Sequence, residues 1–203
     1  MLGHRRSGTH DSTGDQGGRK VRDNIRGNGL SIRPFHEDDA ERLHAAATES
    51  VEQLAPFETW CHAGYSLDEA REYVGWWIDA RENGSAFYYV VEDTATGRFL
   101  GVSGLTDYCR EHRHAELGYW VRTSETGRGV ATAAARLIVD SAFADLDLLR
   151  VAIGVPVGND ASHRVVAKLG AVREGVLRSE LVLPGGPTNV VLYGLLRGEL
   201  RLQ

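Results

Sequence analysis

Apolar and polar residues follow two repeating patterns along the chain, one typical of strands and one typical of helices. Residues 30–35 alternate one by one between apolar and polar, as in a strand that buries one face. Residues 37–50 and 66–81 place their apolar residues three and four apart, which predicts amphipathic helices. Ser66 and Glu69 fit a capping box at the start of the second helix.

Extended to the whole chain, these patterns predict seven strands and four helices. The strands cover residues 30–35, 87–92, 99–107, 113–122, 149–155, 172–183 and 190–196. The helices cover residues 37–50, 66–81, 130–146 and 159–169. The order β-α-α-β-β-β-α-β-α-β-β predicts a mixed α/β (α+β) fold with a mostly antiparallel sheet.

One domain is expected from the length of 203 residues. Residues 1–28 are rich in Gly, Ser, Asp and Arg, contain few sizeable apolar residues and show no period. That composition predicts a disordered polar tail. The folded domain is therefore expected to span residues 29–203.

The composition, with 42 % hydrophobic and 25 % charged residues, is that of an ordinary globular protein. No apolar run approaches the roughly 18 residues of a membrane span, and the first residues lack the apolar core of a secretory signal. We therefore expect a cytoplasmic protein that does not contact membranes.

Charge is distributed unevenly along the chain. Residues 1–28 carry six basic and three acidic residues, a formal charge of +3, so the net charge of −5 leaves −8 for residues 29–203. An acidic body argues against a nucleic acid as the main partner and favours a cationic or amine-bearing substrate.

The stretch AELGYWVRTSETGRGVAT, which ends at Thr132, predicts an anion site. An apolar strand leads through a polar turn to Gly127 and Gly129, where an alanine-rich helix begins. The first N–H groups of a helix have no partner within it and lie at the positive end of its dipole. A nucleoside-triphosphate loop is excluded, because Val130 and Ala131 stand where it needs Lys and Ser or Thr. A dinucleotide fingerprint is disfavoured, because it needs a glycine or alanine where Thr132 stands.

Two segments of the chain resemble motifs of one enzyme family. Residues 126–132, TGRGVAT, resemble motif A of the GNAT acyl-CoA-dependent N-acetyltransferases, written Gln/Arg-x-x-Gly-x-Gly/Ala. Residues 158–178, GNDASHRVVAKLGAVREGVLR, are similar to the family's Asn-x-x-Ser-x-x-x-x-x-Lys-x-Gly-Phe-x-x-Glu-Gly segment. With LSIRPFHEDDAERL and AELGYWV, they resemble the RimJ/RimL branch, which acetylates protein N-termini. The resemblance covers about residues 29–197.

This resemblance implies the GNAT fold, with a central sheet of about seven strands, four flanking helices and a V-shaped split between the fourth and fifth strands. It also implies acetyl-CoA as co-substrate in that split, with its pyrophosphate on backbone N–H groups and its pantetheine arm along a strand edge. Glycine is expected at positions 127 and 129 because a Cβ would obstruct close backbone approach. No metal is expected. The implied cofactor-binding residues are Trp120, Val121, Arg122, Gly127, Arg128, Gly129, Val130, Ala131, Thr132, Asn159 and Ser162.

Glu116 is the leading candidate for a general base. Gly118 and Trp120 follow it by two and four residues, so strand alternation places all three on one face. A carboxylate whose pKa is raised by burial could take the proton of the amine. The alternative is a structural ion pair with an arginine such as Arg113 or Arg150.

Three residues are candidates around the leaving thiolate. Ser162 is carried over from the family segment as the group that protonates or hydrogen-bonds the sulfur, unless it is only a first-turn residue of its helix. Tyr119 is the reserve acid, although alternation directs it away from Glu116. Asn159 is expected as the N-cap of this helix and, by resemblance, as a partner of the pantetheine arm.

The acceptor is less constrained by the sequence. Phe57, Trp60 and Tyr65 could wall its pocket or simply cover the core, and Glu58 could attract an amine or lie at the surface. An α-amine titrates near 7.7–8.0 and a lysine side chain near 10.4, so an N-terminal acceptor needs less help from a base.

We predict an acetyltransferase that acts on the N-terminal α-amine of a ribosomal protein or peptide. The alternatives are a small amine acceptor, such as an antibiotic or polyamine, and an acyl-CoA-binding module without turnover. A homodimer through the C-terminal hairpin or helix 66–81 is also considered.

The cysteine and histidine residues are also considered as ligands of a zinc site. Cys61 and Cys109 are too few for a disulfide framework. Cys109, His112 and His114 lie close together in the sequence, but no fourth zinc ligand accompanies them, so a solvated loop is favoured.

Overall fold

The computed structural model describes residues 21–200, and residues 1–20 and 201–203 lie outside this range. The strands are β1 (Ile25–Gly27), β2 (Leu30–Pro34), β3 (Phe87–Asp93), β4 (Phe99–Cys109), β5 (His114–Val121), β6 (Arg150–Pro156), β7 (Val172–Leu183) and β8 (Gly186–Leu196). The helices are α1 (Ala40–Glu49), α2 (Val51–Leu54), α3 (Leu67–Glu82), α4 (Val130–Asp145) and α5 (Asp160–Leu169). Two short 3-10 turns cover Glu37–Asp39 and Thr123–Glu125.

The strands form one eight-stranded sheet in the order β1-β2-β3-β4-β5-β6-β8-β7. Neighbouring strands run antiparallel except β5 and β6, which are parallel. The parallel pair is joined only over His114–Glu116 and Arg150–Ala152. The predicted split between the fourth and fifth strands is therefore confirmed, and it lies between β5 and β6.

Helices cover both faces of the sheet and divide the core in two. Helices α4 and α5 pack on one face, where Ile138, Val139, Val166 and Leu169 are buried. Helices α1 and α3 pack on the opposite face, where Leu43, Val74 and Trp77 are buried. The four predicted helices are present, and the capping box of α3 forms between Ser66 and Glu69.

The prediction of a disordered tail over residues 1–28 is wrong for residues 21–28, while residues 1–20 lie outside the described range. Ile25–Gly27 pairs with β2, and the side chains of Val21 and Ile25 are buried. Asn28 and Gly29, with φ of 53° and 76°, form the two-residue turn of this hairpin. An Asn-Gly turn between strands is a strong hairpin signal that the low apolar content of the region obscured.

Smaller differences concern the ends of elements. The short helix α2 was not predicted, and β8 begins at Gly186 rather than at residue 190. Strand β4 continues to Cys109 because an irregularity between Thr106 and Cys109, with φ of 48° at Asp107, interrupts its pairing without ending it.

Ile25→Ala is expected to lower the free energy of unfolding by about 2–4 kcal/mol, because it removes a buried side chain from the core beneath β1. Arg26→Ala, at an exposed position of the same strand, is the control and should change stability by less than about 0.5 kcal/mol. Urea unfolding of the full chain measures both, and equal effects would contradict a folded β1.

Candidate active site

The split in the sheet exposes two strand edges. Beyond Glu116 and Ala152, residues 117–121 of β5 and 153–156 of β6 no longer pair with each other. Each strand remains paired on its other side, β5 with β4 and β6 with β8. The backbone N–H and C=O groups that point into the split therefore need partners other than a neighbouring strand.

The turn after β5 leads to the start of α4 through two glycines in left-handed backbone. Gly127 has φ of 75° and Gly129 has φ of 82°. A Cβ built on either glycine meets no described atom within 4 Å. Within the protein, the backbone conformation rather than crowding explains these glycines, since other residues rarely adopt it.

The first turn of α4 presents backbone donors. Gly129 is the N-cap and no side chain caps the helix. The first intrahelical hydrogen bond runs from the N–H of Ala133 to the carbonyl of Gly129, 3.0 Å long. Among the described residues, the N–H groups of Val130, Ala131 and Thr132 have no acceptor. Three such donors at the positive end of a helix can bind an anion.

Ion pairs attach this turn to α1. The guanidinium of Arg122 binds the carboxylate of Glu49, which also accepts the N–H of Ser124 at 2.8 Å. The bond from Arg122 is the main reason that the pKa of Glu49 falls to about 2. The N–H of Thr123 donates to Ser50 Oγ at 3.0 Å. The side chain of Arg122, a predicted cofactor contact, is thus placed on Glu49, where it positions the turn.

The buried carboxylate of Glu125 binds two arginines next to this turn. Glu125 is 4 % exposed and lies 2.9 Å from Arg98 and 2.5 Å from Arg128. Arg128 keeps 67 % of its side chain exposed, so its charge stands at the rim of the anion site. Arg128 was predicted from the sequence, whereas Glu49 and Glu125 were not, because their bonds to Arg122 and Arg98 join distant segments and leave no local pattern.

Glu116 occupies the vertex of the split. It is the last residue of β5 that pairs with β6, and the backbone N–H of Gly154 lies near enough to its carboxylate to stabilise the charged form. Burial, helped by the charge of Asp107, raises the pKa of Glu116 to about 7. The alternative ion pairs do not form, because Arg113 binds Asp147 and Arg150 binds Glu174.

Tyr119, Ser162 and Asn159 come together on the opposite face of the sheet. Tyr119 Oη donates to the backbone carbonyl of Ser162 at 3.4 Å, across the split from β5 to α5. Asn159 is the N-cap of α5, and its Oδ1 accepts the N–H of Ser162 at 3.1 Å. Burial raises the pKa of Tyr119 well above its ordinary value.

An aromatic groove of about 380 Å³ lies between α3 and the loop that precedes it. Trp60 and Tyr65, both predicted acceptor-wall residues, line it, whereas Phe57 does not. Glu58 accepts a hydrogen bond from the indole of Trp60 at 3.0 Å. The aromatic residues of α3 that complete this groove were not predicted as part of an acceptor site. The full lining is Thr59, Trp60, His62, Tyr65, Glu69, Glu72, Tyr73, Trp76 and Trp77.

Within residues 21–200, no group of three or more His, Cys, Asp or Glu side chains is arranged to bind a metal. Within the same range, no helix is both long and apolar enough to cross a membrane.

A sheet that splits around one parallel strand pair, with an anion-binding turn at the end of one of those strands, defines the acetyltransferase class. A family model described as the acetyltransferase (GNAT) domain matches residues 30–172. The chain belongs to this GNAT family, and it is an acyltransferase enzyme.

Known proteins resemble the chain over most of its length. The "Putative ribosomal N-acetyltransferase YdaF" of Bacillus subtilis is 31 % identical over 175 residues, which cover 84 % of this chain and 92 % of that protein. The spermidine N(1)-acetyltransferase of Escherichia coli is 31 % identical over 162 residues, covering 80 % and 83 %. The structure of Mycobacterium smegmatis RimJ in complex with CoA-disulfide has a TM-score of 0.79 at 24 % identity, covering 89 % of this chain and 88 % of that one.

Glu116→Gln is expected to stabilise the fold at pH 8 by roughly 1–3 kcal/mol. The pKa of this carboxyl is about 7 in the fold, against 4.5 for an ordinary glutamate. Ionisation therefore costs stability as the pH rises from about 4.5 to 7, and the whole cost is present above pH 7.

Urea unfolding at pH 4.5 and pH 8 tests this expectation. The gain of the glutamine variant should appear at pH 8 and vanish at pH 4.5. Glu111→Gln, at an exposed position in the turn between β4 and β5, is the control and should show no such dependence. A gain of equal size at both pH values would mean that burial does not disfavour the charge of Glu116.

Proposed function

We propose that this enzyme transfers the acetyl group of acetyl-CoA to the N-terminal α-amine of a ribosomal protein or another protein chain. The observation that carries the proposal is the position of Glu116. Its carboxylate, with a pKa of about 7, lies at the vertex of the split, on the same sheet face as the aromatic groove. A base that titrates near the working pH is suited to take a proton from an amine.

The residues around the split fit acetyl-CoA as a substrate. The N–H groups of the turn from Gly127 to Thr132 would bind its diphosphate, with the charge of Arg128 at the rim. Its pantetheine amides would pair with the open edge of β5 beside Trp120 and Val121, which lacks a strand partner there. Asn159 would contribute a further polar contact, since its side chain lies at the start of α5.

The bound thioester supplies an activated acetyl group. The acceptor ammonium first loses one proton to water, which leaves a neutral amine. The amine nitrogen then forms the new N–C bond as the C–S bond breaks, and Glu116 takes the second proton from that nitrogen, directly or through a water molecule. The sulfur leaves as a thiolate that needs a proton. The nearby backbone N–H of Gly154 favours the ionised form of Glu116 and so opposes the rise of its pKa.

Ser162 is the proposed donor to the departing sulfur, and Tyr119 is the reserve. The two residues are in contact on the face of the sheet opposite Glu116. Burial raises the pKa of Tyr119, so its hydroxyl stays protonated and remains able to donate. Acid and base would then act from the two sides of the split.

Two observations support a protein N-terminus as the acceptor. The Bacillus subtilis relative is named a ribosomal N-acetyltransferase, and the chain shares 31 % of its residues with it over almost its whole length. A base with a pKa of about 7 matches an α-amine better than a lysine side chain, because the α-amine titrates near 7.7–8.0. We place the reaction in the cytoplasm, where ribosomal proteins are synthesised. A homodimer through the β7–β8 hairpin or through α3 is part of the proposal.

A polyamine is the second candidate acceptor. The Escherichia coli relative of 31 % identity is named a spermidine N(1)-acetyltransferase. The aromatic groove carries Glu69 and Glu72, which suit a second cationic group.

The first test is thiol release from acetyl-CoA with a panel of acceptors. Peptides that begin with Ser, Thr, Ala or Met are expected to be acetylated, and spermidine, lysine and aminoglycosides are expected to be poorer by at least about tenfold in kcat/KM. Turnover confined to spermidine would move the function to polyamine acetylation. Failure with every amine would contradict the proposed function as a whole.

The role of Glu116 predicts a pH effect. Because the carboxylate must be ionised to accept a proton, the kcat of the wild type should fall as the pH drops below about 7. Glu116→Gln should lower kcat by about 100-fold or more at pH 8 and remove this dependence. Acetyl-CoA binding, measured by calorimetry, should stay within about twofold of wild type.

Glu111→Gln is the matched control and should keep the wild-type pH profile. If Glu116→Gln retained wild-type kcat and the same acidic limb, that limb would belong to another group, and Glu116 would not be the base.

A further inference from the structure

Tyr88 lies on β3, yet its hydroxyl reaches β5 at the split. Tyr88 and Gly104 are register partners, as are Gly104 and Gly118, so the three positions form a row across β3, β4 and β5. A Cβ added at Gly104 would lie 2.7 Å from the Tyr88 ring, and one added at Gly118 would lie 2.0 Å from Tyr88 Oη. The two glycines therefore form a trough in which the tyrosine ring lies across β4.

The trough places the Tyr88 hydroxyl near the vertex of the split, where Glu116 lies. Gly118 is two residues beyond Glu116 on the same strand face, in the part of β5 that β6 no longer covers. Trp77 stacks on the Tyr88 ring with centroids 3.9 Å apart and planes at 11°, and it also lines the aromatic groove. The ring is thus fixed between the groove and the vertex of the split.

The Tyr88 hydroxyl is neutral and has no hydrogen-bond partner among the described residues. Only 3 % of the residue is exposed. Burial raises its pKa well above the ordinary value, and nearby Glu58 and Glu116 act in the same direction. Because no described residue forms a hydrogen bond with this hydroxyl, it can donate to or accept from a ligand in the split.

Tyr89 shows what a structural tyrosine looks like in the same strand. Its side chain points to the opposite face, and its hydroxyl accepts a hydrogen bond from Arg81 at 2.9 Å. The Tyr89 hydroxyl is therefore hydrogen-bonded within the protein, whereas the Tyr88 hydroxyl faces the split.

Resting on the proposed function, we infer that Tyr88 is a further catalytic residue that contacts the acceptor directly. A primary amine that has lost one proton retains two N–H groups and a lone pair. The Tyr88 oxygen accepts one N–H, and the other N–H faces Glu116, which takes its proton as the N–C bond forms. The lone pair is thereby directed at the thioester carbon. No covalent bond to Tyr88 forms or breaks.

This arrangement also specifies the class of acceptor. A primary amine has enough N–H groups to bind Tyr88 and Glu116 at once, whereas a neutral secondary amine has only one. The site therefore selects primary amines over secondary amines of the same size. An N-terminal alanine should be preferred to N-methylalanine in an otherwise identical peptide.

Tyr88→Phe tests the inference because it removes the hydroxyl and keeps the ring that stacks on Trp77. The variant should lower kcat/KM by about tenfold for the best peptide of the panel. Its melting temperature and its acetyl-CoA affinity should stay close to those of the wild type. The ratio of alanine to N-methylalanine peptide turnover should also decrease. Tyr89→Phe is the matched control and should leave kcat/KM within about twofold of the wild type.

Gly118→Ala provides an independent variant, because its methyl group would displace the Tyr88 hydroxyl. It should show a similar loss, and the double variant Tyr88→Phe/Gly118→Ala should be no worse than Tyr88→Phe alone. Wild-type kcat/KM in Tyr88→Phe would overturn the inference and leave the proposed function intact. No turnover by the wild type on any amine would overturn both.

Discussion

The site depends on the early end of the pairing between β5 and β6. Three residues on each strand join the parallel pair, and beyond them the two strands separate. Buried backbone polar groups must find partners, so an open split inside a sheet is stable only where water or a ligand supplies them. An amide-rich chain such as pantetheine suits these edges. The same separation brings the Glu116 carboxylate to a position where both substrates can meet.

Charged residues then connect the split to the surrounding elements. Glu49 of α1 binds Arg122 and Ser124 in the turn between β5 and α4, and Glu125 of that turn binds Arg128 and also Arg98, which precedes β4. Shared, partly buried pairs fix a loop better than isolated surface pairs, which contribute little. The unpartnered N–H groups at the start of α4 are thereby held in place before an anion arrives.

The two faces of the sheet divide the chemistry. Trp60, Trp77 and Tyr88 lie with Glu116 on the α1–α3 face, and Tyr119 contacts Ser162 on the α4–α5 face. This arrangement lets an acceptor and a thioester approach the vertex from opposite sides. It also separates the Glu116 carboxylate, whose pKa is raised toward neutrality, from the Tyr119 hydroxyl, whose pKa is raised well above its ordinary value.

Much of this arrangement could be predicted from local patterns. Strand alternation placed Glu116 and Gly118 on one face, and the Gly127 and Gly129 turn predicted the uncapped helix start. Residues acting over long distances could not be predicted, because Glu49 binds Arg122, Glu125 binds Arg98 and Tyr88 reaches Gly118, each pair at least 27 positions apart. The β1–β2 hairpin was missed for a different reason, since low hydrophobicity outweighed the Asn28-Gly29 turn signal.

The trough beneath Tyr88 links three positions that are far apart in the sequence. A side chain at residue 118 larger than glycine would collide with the hydroxyl, and one at residue 104 would collide with the ring and the β3 backbone. During divergence, therefore, these positions cannot vary independently. A relative that keeps the tyrosine has to keep both glycines, whereas a relative with a shorter residue at position 88 becomes free to change position 118. Positions 88 and 118 should covary in an alignment of the family, whereas the β3 backbone keeps position 104 a glycine.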